Sequence, residues 1–177
     1  MALVVLLRGI NIGGRRTLRP SQLASRLGHL DAVNIGATGT FVVRKPVSPS
    51  RLHSEVARRL PFETEIVICD GRDIARLLAR DPFARQRVAS NVVRFVSVLA
   101  QQPRSAPRLP LRFPARGAWL MKVLAREGRF VVGLHRREMR VLSQLAKLRE
   151  LFGVPYTTRS WSTIVAIGKA LAVPAER

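Results

Sequence analysis

Apolar positions in this chain follow two periods, one of strands and one of helices. Leu3–Leu7 is an unbroken apolar run of strand length, which demands cover on both faces and an interior place in its sheet. Pro20 and Ser21 then open a helix whose buried stripe is Leu23, Leu27 and Leu30. Ala32 to Ile35 and Thr40 to Lys45 read as two strands, with Gly36 and Gly39 bracketing the turn between them. A second helix starts at Ser48-Pro49, with Ser as cap and Pro at the first helical position. Its stripe is Leu52, Val56 and Leu60, and Pro61 ends it. Glu65 to Cys69 is a β-branched strand closed by Asp70-Gly71. A third helix carries Ile74, Leu77 and Leu78 and stops at Asp81-Pro82.

The order β-α-β-β-α-β is the split βαβ, ferredoxin-like arrangement, with both helices on one face of a mainly antiparallel sheet. The second half opens with a strand at Val92 to Leu99. Pro103 to Pro114 holds four prolines and several arginines, and reads as an extended connector without a core of its own. Trp119 to Ala125 and Phe130 to His135 form a hairpin around Arg126-Glu127-Gly128. Val141, Leu145, Leu148 and Phe152 mark a long helix ended by Gly153-Val154-Pro155. Tyr156 to Thr163 is polar with one Trp, and Ile164 to Leu171 closes the chain as a helix. The expected class is therefore α+β: two ferredoxin-like subdomains, residues 1–88 and 89–177, each a mainly antiparallel sheet with helices packed on it. The second half echoes the first with one helix replaced by the Pro-rich stretch.

Composition narrows the function classes. The chain has 177 residues and is 47% hydrophobic, enough for a sizeable core. No apolar run reaches spanning length, so no membrane insertion is expected. The apolar N-terminus lacks a leading basic region and a small-residue cleavage site, and reads as a first strand, not a signal peptide. One cysteine, Cys69, allows no internal disulfide and suits the cytoplasm. The formal net charge is +20, from 31 Lys and Arg against 11 Asp and Glu, with a sequence pI of about 12.0. Such a surface attracts nucleic acid, anionic lipid or other polyanions. Lys occurs only at positions 45, 122, 147 and 169. Genome base composition alone can exchange Lys for Arg, but that exchange leaves the charge unchanged; the shortage of acids needs a separate cause.

Two segments are candidates for chemistry. Gly9 to Thr17 is a glycine-punctuated loop whose backbone can approach an anion closely, with Arg15, Arg16 and Arg19 beside a downstream helix start. Its spacing nearly matches a nucleotide-binding P-loop: Gly9, four residues, Gly14. Arg15 then stands where Lys is required and Arg16 where a hydroxyl would hold magnesium, which excludes a nucleoside triphosphatase on this motif. The bland alternative is a tight strand-to-helix turn. Thr157 to Thr163 sets hydroxyls, Arg159 and Trp161 before a helix, either as an elaborate N-cap with Trp161 packed on the core or as a polar pocket wall. No catalytic team stands out. Cys69 reads as a small buried hydrophobe, and His29, His53 and His135 are scattered. Metal ligands at paired spacing are absent, so neither a metal nor a cofactor is expected. An RNA-recognition platform needs two or three stacking aromatics, and the third strand offers only Phe41.

Leu6-Leu7-Arg8-Gly9-Ile10-Asn11-Ile12-Gly13-Gly14, together with Thr158-Arg159-Ser160-Trp161-Ser162-Thr163, resembles the bacterial family known as domain of unknown function 1697. Asp81-Pro82-Phe83 after the third helix agrees, and the resemblance spans almost the whole chain. It implies two α+β subdomains of ferredoxin-like character and no assigned activity. Gly36-Ala37-Thr38-Gly39 replaces a Gln-Ser-Gly-Asn turn common in relatives. Ser160 and Ser162 replace Asn on either side of Trp161, and Pro103 to Pro114 stands in place of a helix.

The reading from sequence is a non-enzymatic polyanion or nucleic-acid-binding protein. Its alternative is an enzyme acting on a small anionic or phosphorylated substrate in a cleft between the subdomains. A third is an assembly protein, a homodimer paired through a strand edge. The candidate anion-binding residues are Arg8, Gly9, Asn11, Gly13, Gly14, Arg15, Arg16, Thr158, Arg159 and Trp161. The two motifs are expected to line one cleft.

Overall fold

All five side chains of Leu3–Leu7 (β1) are buried, and the strand pairs on both edges, as an all-apolar run requires. The computed structural model describes residues 2–11, 14 and 17–174. The chain forms two compact units, Met1–Arg80 with Ser162–Arg177, and Asp81–Trp161.

In the first unit β1 is followed by α1 (Pro20–Arg26), a 3-10 turn at Gly28–Leu30, β2 (Ala32–Asn34), β3 (Thr40–Val43), α2 (Pro49–Arg59), β4 (Ile66–Asp70) and α3 (Gly71–Arg80). The antiparallel sheet has the order β2-β3-β1-β4, that of the split βαβ. Leu3, Val5 and Leu7 face a core shared with Leu23 and Leu27 of the α1 region and Leu52 and Val56 of α2. Each such Val or Leu contributes about 1.5–3 kcal/mol by leaving water. Helix α1 stops earlier than its leucine stripe suggests. Gly28 interrupts it, and the 3-10 turn then carries Leu30 into the same core. Ser48 caps α2, its side chain accepting from the Arg51 N–H at 3.3 Å, with Pro49 next as read from sequence. The last helix, α5 (Trp161–Leu171), packs on α3 at two glycines. A Cβ on Gly71 would meet Leu171 at 2.7 Å, and one on Gly168 would meet Leu78 at 2.3 Å.

The second unit holds β5 (Val92–Leu99), β6 (Leu111–Phe113), β7 (Met121–Glu127), β8 (Phe130–Arg136), α4 (Val141–Phe152) and β9 (Tyr156–Ser160), with sheet order β6-β7-β8-β5-β9. Without β6, that order repeats the first sheet, and α4 joins β8 to β9 as α2 joins β3 to β4. The fold is α+β, with two antiparallel sheets consistent with a ferredoxin-like character. The Pro-rich stretch stands where the first helix would be.

Three details differ from the sequence reading. The connector carries edge strand β6, and its Leu109, Leu111 and Phe113 pack against the core of this unit. Tyr156 to Ser160 is a strand, not a cap: it pairs with β5, and α5 starts directly at Trp161. The hairpin turn is Gly128-Arg129, because Glu127 still pairs with Phe130.

Candidate functional site

The loop after β1 is held at both ends. Arg8 donates to Glu65 Oε2 at 2.6 Å, and the Thr64 hydroxyl donates to the Arg8 carbonyl at 2.6 Å. Gly9 has φ +64°. Asn11, at φ +58°, adopts the left-handed conformation that Asn tolerates better than most residues. Its amide donates to the carbonyls of Leu18 and Ala37, both at 3.0 Å, and its oxygen accepts from the Leu18 N–H at 2.8 Å. The Asn11 side chain thus closes the loop onto itself. Gly14 is exposed, and Gly13, Arg15 and Arg16 lie outside the described residues.

Beyond Leu18 the loop borders a cleft of about 480 Å³ lined by Thr17, Arg19, Gln22, Arg26, Arg59 and Pro61, among others. Arg19, Gln22 and Arg26 fall on one stripe of the α1 region by their spacing of three and four. Arg19 and Arg26 are exposed and make no side-chain ion pair with a described residue. Arg59 is anchored from within its helix, donating to the Glu55 carbonyl at 2.9 Å and lying 3.2 Å from its carboxylate. Glu55 also meets His29 at 3.1 Å and Arg51 at 3.5 Å. Burial pushes the Glu55 carboxyl up, but His29, Arg59 and Arg51 together hold it below its ordinary value.

Thr158, Arg159 and Trp161 belong to the second unit, whereas Arg8, Gly9, Asn11 and Gly14 belong to the first. Ser97 Oγ and Thr158 Oγ1 share a hydrogen bond of 2.6 Å across the β5–β9 ladder. Arg159 is 7% exposed. Its guanidinium donates to Thr157 Oγ1 at 2.8 Å and to the Thr158 carbonyl at 2.9 Å, and burial lowers its pKa to about 10. Trp161 packs edge-on to Phe83, ring centroids 5.1 Å apart.

Charge is unevenly divided. Asp81–Trp161 carries 16 Lys and Arg against four acids. Within it Arg104, Arg108, Arg112 and Arg116 recur at every fourth residue, and all four are exposed. Leu109, Leu111 and Phe113 turn inward between them. The Trp119 ring has the Lys122 ammonium 4.6 Å and the Arg136 guanidinium 4.8 Å from its centre. Among the described residues no three His, Cys, Asp or Glu side chains gather as a metal-ligand group. No described helix is long and apolar enough to cross a membrane.

With this geometry in hand, the family described as "Protein of unknown function (DUF1697)" matches residues 1–116. The chain belongs to that family. The match contains the whole N-terminal loop motif and ends at Arg116, the last arginine of the row. No curated protein matches this DUF1697 member. A solved structure of a conserved bacterial protein from Streptococcus pneumoniae superposes with a TM-score of 0.61 at 17% identity, covering 96% of this chain and 98% of that one. At that identity the likeness is one of fold.

Reading from sequence passed over the α1 stripe, the arginine row and the Trp119 cluster. The stripe was legible as a 3,4 spacing beside the leucines. The row was legible as a fourfold repeat within the prolines. Arg59 gave no signal, since it reaches the cleft only through packing of α2 beside α1.

Proposed function

We propose that this DUF1697 protein binds nucleic acid through its phosphates, without catalysis, in the cytoplasm. The observation that carries the reading is the row Arg104, Arg108, Arg112 and Arg116: four exposed guanidiniums at regular spacing on the edge segment of the more basic unit. Prolines stiffen that segment and its apolar residues are anchored in the core, so little backbone freedom remains to be lost on binding. Guanidinium forks match phosphate oxygens in pairs. Lys122 and Arg136, stacked over the Trp119 ring, add two further cations to the same unit.

Fluorescence anisotropy with a labelled duplex oligonucleotide tests this. Log affinity falls with log salt by roughly 0.9 per phosphate neutralised, so four contacts give a slope near −3.6. The R104Q/R108Q/R112Q/R116Q variant flattens that slope by most of this amount. Binding that ignores salt, or a slope the variant leaves unchanged, rejects the proposal.

A further inference from the structure

The cleft beside α1 lies in the other unit and has a different character. Arg19, Gln22 and Arg26 line it from one stripe, Arg59 from the end of α2, and Thr17 adds a hydroxyl. Three guanidiniums around one hollow repel one another. Only Arg59 has a described acid beside it, and Glu55 already serves His29 and Arg51. Arg19 and Arg26 make no such pair, and α1 has no acid in its first turn. A bound dianion would offset all three cations at once. The volume, about 480 Å³, falls in the range of small-molecule sites, roughly 300–1,000 Å³. It exceeds what a bare phosphate fills, while Gln22 and Thr17 supply hydrogen-bonding groups for the remainder of a polar ligand and Leu23 supplies an apolar wall.

We infer that this cleft binds a small phosphate monoester, a terminal dianionic phosphate on a hydroxylated body such as a sugar phosphate. The terminal phosphate sits among Arg19, Arg26 and Arg59, and the hydroxyls meet Gln22 and Thr17. This goes beyond the nucleic-acid reading in both place and ligand: an internal phosphodiester carries one charge and has no free end to enter the cleft.

Isothermal titration of the full chain tests the inference with three probes: ribose 5-phosphate, ribose, and a short oligonucleotide lacking terminal phosphates. The expected result is saturable binding of ribose 5-phosphate at about 1 mM or tighter, and none of ribose. Arg19→Gln and Arg26→Gln each weaken it about tenfold, the loss of one charged hydrogen-bond partner. Both side chains are exposed, so the variants should keep the native circular dichroism spectrum. The R104Q/R108Q/R112Q/R116Q variant keeps full affinity for the monoester, which separates this site from the nucleic-acid surface. The inference is overturned if ribose 5-phosphate does not bind, or if it binds equally to both single variants. It is also overturned if the quadruple variant loses monoester and oligonucleotide binding together.

Discussion

Gly133 has no room for a side chain in the second sheet, and replacing it with alanine is a quantitative test of that packing. It pairs with Phe95 on one side and Val123 on the other, opposite the irregularity in β7 between Val123 and Ala125. An added Cβ would lie 2.3 Å from the Lys122 carbonyl oxygen and 2.5 and 2.6 Å from two Phe95 ring carbons. Ordinary contacts begin near 3.4 Å, so something must move by about an ångström. The carbonyl belongs to a paired strand and Phe95 is wholly buried, so neither gives cheaply. Overpacking of this kind costs about 1–3 kcal/mol, and two rigid neighbours put Gly133→Ala near the upper end. In urea the midpoint should fall with the slope unchanged, and the thermal midpoint should drop by about 2–4 °C per kcal/mol. Gly153→Ala is the control: φ is +66° and a Cβ there meets nothing within 4 Å, so its cost of roughly 1–2 kcal/mol is conformational. Phe95→Leu should couple to Gly133→Ala by at least 0.5 kcal/mol, roughly, in a double-mutant cycle and not to Gly153→Ala. A Gly133→Ala variant within about 0.5 kcal/mol of wild type, or one with no coupling to Phe95, refutes the packing argument.

Other substitutions probe other parts of the molecule. Ser48→Ala removes the α2 cap and should lower unfolding stability by about 1 kcal/mol in a denaturant titration. Glu55 and Asp70 both titrate below their ordinary values of 4.5 and 3.8, burial in each case being outweighed by basic partners: His29, Arg59 and Arg51 for Glu55, and chiefly Arg72 for Asp70. Their contribution is therefore complete above those values and is lost as pH falls through the lower folded-state ones. Glu55→Gln/Asp70→Asn should be less stable at pH 7, with a shallower acid limb in a pH series of melting temperatures. Arg159→Ala strips a buried guanidinium from Thr157 and the Thr158 carbonyl and should cost roughly 1–3 kcal/mol by calorimetry, whereas Arg26→Ala should leave the melting temperature unchanged.

The strand order of residues 1–70 was legible because its elements announce themselves. An all-apolar β1, the Ser48-Pro49 cap and the Gly36/Gly39 turn leave few other arrangements. Strand β9 was not legible, because Thr157, Thr158 and Ser160 look like loop residues. They are buried or half-buried in a sheet only because β5 supplies a complete ladder and Ser97 answers Thr158. Strand β6 was hidden for the opposite reason: prolines flank it, and a three-residue edge strand tolerates them where an interior strand would not. In the candidate site, the loop motif announced its glycines but not the work of Asn11, whose closure of the turn depends on Leu18 and Ala37 arriving at fixed distances.

The contact of α5 with α3 bears on the order in which the molecule can be assembled. Gly71 meets Leu171, about 100 positions along the chain, and Leu78 meets Gly168, about 90 positions along. During synthesis the first sheet leaves the ribosome early, yet the helix that packs on α3 emerges only after the whole of Asp81–Trp161 has been made. Until then Gly71 and Leu78 of α3 lack their neighbours Leu171 and Gly168 of α5. Nascent chains halted before residue 161 should therefore be more sensitive to proteolysis within 71–80 than chains extended past 171. The large sequence separation of these closing contacts makes them a slow step of folding.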